Sequence, residues 1–191
     1  MNFDTARDMQ GRDTYASPLL SQAHALDALA QAELTVNGVS LLGKTREDVR
    51  QALGEAEAVD ERTDEGGETV YALRYPDMEV TLNAQETVVQ VSLTHAGAAG
   101  PRGLCVGMTD RQALSLLRVD APVYSGQNAA LYLEGEAGDD PPYAYMDFFD
   151  GGRSAIRVGV RIDERTALAA LVYIDIGQGV VEEIRLTLFE V

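Results

Sequence analysis

The stretch Gly43-Lys44-Thr45-Arg46-Glu47-Asp48-Val49 decides how the chain is read, because it returns 64 residues later as Gly107-Met108-Thr109-Asp110-Arg111-Gln112-Ala113. Each copy places a threonine two residues after a glycine and a side-chain acceptor three residues after the threonine. That spacing predicts a capping box, in which the two side chains satisfy N–H groups that a helix start leaves free. The helices that follow carry Val49, Ala52 and Leu53 in the first copy, and Ala113, Leu116 and Leu117 in the second. Gly54 reads as the C-cap of the first helix. Arg118 holds the equivalent place in the second copy, so that helix must end differently.

Beyond each helix comes an acidic loop and then alternation of period two. In the first copy this covers 69–75, then Met78, Val80 and Leu82 after the turn at Pro76-Asp77, then Val89, Val91 and Leu93. The second copy gives 143–149, a turn at Asp150-Gly151-Gly152, then Ile156, Val158, Val160 and Ile162, then Leu168, Ala170, Val172 and Ile174. A last strand over 180–191 turns Ile184, Leu186 and Leu188 inward. Apolar alternation broken by Gly, Asp and Pro is the pattern of antiparallel hairpins. Upstream, Ser17-Pro18 predicts the start of a further helix, with Leu19, Ala23, Leu26 and Ala30 on one stripe.

One apolar stripe per helix and one apolar face per sheet predict an α+β fold, a tandem repeat of a helix packed on an antiparallel sheet with an additional N-terminal helix. The expected boundaries are a disordered terminus over 1–15, the N-terminal helix over 16–33 and a first repeat over 34–95. A Gly/Ala-rich linker over 96–101 and a second repeat over 102–191 complete the chain.

A short apolar strand over 39–42, then Gly43-x-Thr45 opening a helix that ends at Leu53-Gly54, then tyrosine-bearing strands, resembles the β-lactamase-inhibitory-protein-like repeat. That fold also occurs in small outer-membrane assembly lipoproteins. The resemblance covers roughly 34–175. It implies non-enzymatic protein binding, often outside the cytoplasm. The shared residues are structural ones, so the resemblance assigns no binding position.

Composition limits the partners. The 191 residues hold 31 acids against 15 bases, a net charge of −16, and Lys44 is the single lysine. Nucleic acid and anionic membrane both need clustered basic side chains, so neither is an expected partner. No stretch reaches the roughly 20 apolar residues of a membrane span, so no membrane insertion is expected. Residues 1–16 contain acids and no apolar run, which predicts no signal peptide and a cytoplasmic chain as written; a leader ahead of Met1 would make it extracytoplasmic.

Catalytic chemistry finds little to build on. Cys105 is the one cysteine; it aligns with Leu41 in the repeat and reads as a filler of a small core site. His24 lies beside the N-terminal stripe and His95 adjoins the linker, so no nucleophile has a base beside it in sequence. Two acidic clusters occur, Glu55, Glu57, Asp60, Glu61, Asp64, Glu65 and Glu68, and then Glu134, Glu136, Asp139, Asp140, Asp147 and Asp150. Counted from Asp60, the third position is Arg62 and the sixth Glu65, which breaks the calcium-loop pattern. No metal site and no cofactor are expected.

Strand parity gives the candidate site. If Ala144, Met146 and Phe148 face the helix, then Tyr143, Tyr145 and Asp147 face the other way, together with Arg157, Arg161, Leu171, Tyr173 and Arg185. Tyrosine and arginine dominate protein interfaces, so this set predicts a partner-binding surface. The competing reading is that these side chains stack on one another or on the other repeat. The functional expectation is therefore a non-catalytic protein-interaction module using an open sheet face. Its alternative is a small-molecule or cation-binding domain using the cleft between the repeats. The sequence sets no oligomeric state.

Overall fold

The computed structural model describes residues 28–64, 66–117, 123–125, 128–133, 143–163 and 168–190; for 123–125, 128–133 and 190 it describes the backbone alone. Two helices lie among these residues, α1 (Arg46–Leu53) and α2 (Asp110–Leu116). The strands are β1 (Ala58–Thr63), β2 (Thr69–Arg74), β3 (Met78–Leu82), β4 (Val88–Leu93), β5 (Val123–Ser125), β6 (Asn128–Leu133), β7 (Tyr143–Phe149), β8 (Arg153–Asp163), β9 (Leu168–Gly177) and β10 (Val180–Glu190). They form one ten-stranded sheet in the order β1-β2-β3-β4-β10-β9-β8-β7-β6-β5. Every neighbouring pair is antiparallel.

The expected tandem repeat of a helix packed on a sheet is thus replaced by one large sheet, a continuity that the sequence alone leaves open. The last strands of the two halves, β4 and β10, pair directly, with Leu93 opposite Ile184 and Val91 opposite Leu186. One core cluster runs along the sheet from Leu73 and Val80 through Leu93, Ile184 and Ile174 to Ile156 and Met146. The side chains of Leu93, Ile184, Ile174 and Ile156 have no exposed surface. Each such Leu or Ile contributes about 1.5–3 kcal/mol relative to exposure, so splitting the sheet at β4–β10 would open the best-buried part of the protein.

Both capping boxes form. Thr45 Oγ1 accepts from Asp48 N at 3.3 Å while Asp48 Oδ2 accepts from Thr45 N at 3.0 Å. Thr109 and Gln112 repeat the exchange at 3.3 and 2.9 Å. The echo extends to how each helix is hung on the sheet. Gly43 N donates to Val88 O, Val88 N to Lys44 O and Arg46 N to Glu86 O; Gly107 N donates to Val181 O, Val181 N to Met108 O and Asp110 N to Gly179 O. The anchoring strands are β4 and β10, the pair at which the two halves of the sheet join. The likeness stops there, because the first half contributes four strands and the second contributes six. Leu117 closes α2 in the right-handed helical region, whereas Gly54 closes α1 at φ +84°.

Further expectations change in detail. Residues 16–27 of the expected N-terminal helix lie outside the described residues. Over 28–33 the backbone is irregular and then makes one 3-10 turn, Gln31–Glu33, entered through an extended Ala30. Leu29 and Leu34 are nevertheless buried in the core, so this segment covers the sheet without a helix. Arg102 holds it there, with Nε and Nη2 donating to the Glu33 carboxylate at 2.8 and 3.0 Å. The 96–101 stretch packs closely, with Ala98 and Pro101 buried. Leu104 takes the buried place expected of Cys105, whose thiol is half-buried and donates to Gly103 O. A bulge after Thr81 sets Val88, not Val89, on the inner face.

Replacing Thr109 or Thr45 by Ala removes one cap acceptor, and each change is expected to cost about 1 kcal/mol in urea denaturation, with the Ser variants largely spared.

Candidate functional site: the open face of the sheet

The helices and the 28–42 segment cover one face of the sheet, and strand parity sends alternate side chains to the other. Cross-strand register then decides which of these meet. Tyr145 lies opposite Arg157, Arg157 opposite Tyr173 and Tyr173 opposite Arg185. The same row continues over the β4–β10 pairing to Ser92, Glu79 and Arg74. Four of the six expected site residues therefore stand in one line across four adjacent strands.

Within that line tyrosine and arginine alternate and stack. The Arg157 guanidinium lies 5.7 Å from the Tyr145 ring centroid, and that of Arg185 lies 4.6 Å from the Tyr173 centroid. Arginine is the cation that most often makes this contact, through a flat group that matches the ring. Arg157 also binds Asp147 through two hydrogen bonds, Nε to Oδ2 at 2.5 Å and Nη2 to Oδ1 at 3.1 Å. Asp147 is nearly buried, so this bidentate pair holds Arg157 in place more firmly than an exposed pair would. Arg153 donates a single hydrogen bond, Nη2 to Asp175 Oδ2, at 2.5 Å. Burial, then the Asp175 carboxylate, push the Tyr173 phenol above its ordinary pKa, while Arg185 pulls the other way. Tyr173 is thus a neutral donor near pH 7.

The remaining two expected residues have other places. Tyr143 is buried, and its ring lies over Gly159 on the neighbouring strand, where an added Cβ would come within 2.4 Å of the ring. Tyr143 and Tyr145 rings are 5.4 Å apart, and with Leu171 they make a small apolar cluster on this face. Tyr143 is therefore a packing residue covering a glycine. Arg161 is exposed and opposite Ala169, beyond the Gly159 row and away from the Tyr–Arg line.

The first-half strands extend the face with charge. Arg62 binds Glu79 at 2.9 Å and approaches Asp60 at 3.4 Å, while Arg74 pairs with Asp60 and lies 3.8 Å from Glu79. Two arginines and two acids close into a ring. Part of the first acidic cluster is therefore a strand, β1, whose Asp60 has a defined partner. Strand parity sets Asp147 on this face beside Tyr143 and Tyr145, and hairpin arithmetic around Gly151 pairs 147 with 155 and 143 with 159, whereas sequence reasoning missed Asp175 as a member of the site. No group of three His, Cys, Asp or Glu side chains among the described residues could hold a metal ion. No helix among them is long and apolar enough to cross a membrane. At the junction expected to form a cleft, β4 and β10 are hydrogen-bonded.

No family model matches the chain. No curated protein matches it. Similar solved structures include an extracellular protein containing an SCP domain from Bacillus anthracis str. Ames, at 9% identity and a TM-score of 0.44, covering 77% of this chain and 44% of that one. Another is a cysteine-rich secretory protein from Staphylococcus aureus subsp. aureus Mu50, at 16% identity and a TM-score of 0.37, covering 84% of this chain and 50% of that one. The chain spans half or less of the length of either. The single continuous sheet, in place of a helix-on-sheet unit used twice, overturns the resemblance drawn from 39–54. At these scores the likeness assigns no activity.

Gly159→Val is expected to lower stability by about 1–3 kcal/mol, because the new side chain would occupy the space of the Tyr143 ring. The same substitution in a Tyr143→Ala background should cost clearly less. Equal costs in the two backgrounds, measured by thermal unfolding, would show that ring and glycine are not coupled.

Proposed function

We propose that the chain is a non-catalytic protein-interaction module that binds a partner through the open face of its sheet. The observation that carries this reading is the line Tyr145, Arg157, Tyr173 and Arg185 across β7, β8, β9 and β10. Its side chains are held by stacking and by Asp147, so they lose little freedom when a partner arrives. Large amphipathic groups fixed on a rigid sheet are what interface anchors require. The stacked pairs already present on the face supply its rigidity, and half-exposed edges supply its contact area.

The face is also where the protein's acidity is locally balanced. Arg62, Arg74, Arg153, Arg157 and Arg185 stand among Asp60, Glu79, Asp147, Asp175 and Glu183 there, against −16 for the whole chain. A partner meeting this surface encounters paired charges and aromatic rings, and is spared the net repulsion or attraction of the acidic remainder.

The test is affinity capture from a lysate of the source organism with the full chain and with a Tyr145→Ala/Tyr173→Ala variant, at low and at high salt. A protein retained by the natural chain at both salts and lost by the folded variant is the expected result. Identical captured sets, with circular dichroism showing the variant folded, would remove the face as the binding surface.

A further inference from the structure

The arginines of the open face are not equivalent. Arg157, Arg153, Arg62 and Arg74 each have a carboxylate partner at hydrogen-bond distance or in a closed ring. Arg185 is paired less closely: Glu183 is its ion-pair partner, with Nε 3.4 Å from the carboxylate and no hydrogen bond formed from that atom. Its cross-strand neighbours are Tyr173 on β9 and Ser92 on β4, neither of them acidic. The guanidinium is fixed by stacking 4.6 Å over the Tyr173 ring, Nε is fully buried, and the side chain as a whole is 39% exposed.

This arginine also occupies the middle of the sheet. It lies on β10, with four strands on one side and five on the other. A planar fork of donors, preoriented by a ring and held to its own acid only by a 3.4 Å ion pair without a hydrogen bond, matches a further carboxylate in two parallel hydrogen bonds. Resting on the reading of the open face as a binding surface, we infer that Arg185 is its anchor and that the partner is a protein segment presenting an aspartate or glutamate side chain to it. The inference runs against the gross electrostatics, because a chain of charge −16 attracts basic segments everywhere else. That opposition makes it easy to test.

Phage displaying random 12-residue peptides, fused through their C-terminal ends so that side chains supply the only carboxylates, are selected on the full chain. The selection is repeated on Arg185→Gln and on Tyr173→Ala. The expected outcome is an Asp or Glu fixed at one position in peptides from the natural chain and absent from those selected on Arg185→Gln. A synthetic peptide from that set should bind Arg185→Gln about tenfold to a hundredfold more weakly. Changing its acid to the amide should weaken binding to the natural chain to the same extent and leave binding to Arg185→Gln unaltered. Basic peptides alone, or acidic peptides that bind Arg185→Gln equally well, overturn the inference. Peptides lost on Tyr173→Ala yet free of acids overturn the anchor and leave the face reading standing. A selection in which no peptide depends on Tyr173 or Arg185 overturns both.

Discussion

The pairing of β4 with β10 is the contact on which the rest of the structure depends. Each strand carries the hook from which one helix hangs, and each is the innermost strand of its half. Joining them removes two sheet edges, whose unpaired N–H and C=O groups would otherwise invite other chains. It also merges two small apolar faces into one core, which matters for halves of this size. A domain of about 60 residues buries only about 60% of the surface its unfolded chain exposes and is correspondingly marginal. The remaining edges are short or charged: β5 has three residues, and β1 bears Asp60, Glu61 and Arg62.

The same pairing creates the open face as a single surface. Ser92 and Gln90 of β4 lie beside Arg185 and Thr187 of β10, and Gln90 accepts a hydrogen bond from Thr187 at 3.3 Å. The ionic ring of β1, β2 and β3 is thereby placed on one plane with the Tyr–Arg line of β7 to β10. Exposed ion pairs of this kind contribute about 0–1 kcal/mol each, so their effect is mainly to fix side-chain positions. Order on the face is what a binding surface needs more than it needs stability.

Much of this was legible locally and little of it globally. Thr45 with Asp48 and Thr109 with Gln112 announced their caps, since a capping box depends on residues three apart. Period-two alternation placed Tyr145, Arg157, Tyr173 and Arg185 on a common face, since parity is a property of each strand alone. β1 was hidden inside an acidic run, because an edge strand needs only one hydrogen-bonded neighbour and buries few side chains. The bulge that exchanges Val88 for Val89 leaves no signature in an apolar pair. The β4–β10 contact joins residues about 90 apart, and strands with two free edges are equally compatible with separate sheets. Tyr143 reads as an interface residue in the sequence because its partner is a glycine, which is silent in a hydrophobic pattern.

Amide hydrogen exchange on β4 and β10, followed residue by residue, tests the central claim most directly. A continuous sheet predicts that amides on both sides of both strands, including those of Val91, Leu93, Ile184 and Leu186, exchange as slowly as those of β8 and β9. If the halves formed separate sheets, β4 and β10 would be edges, and alternate amides along each would exchange orders of magnitude faster.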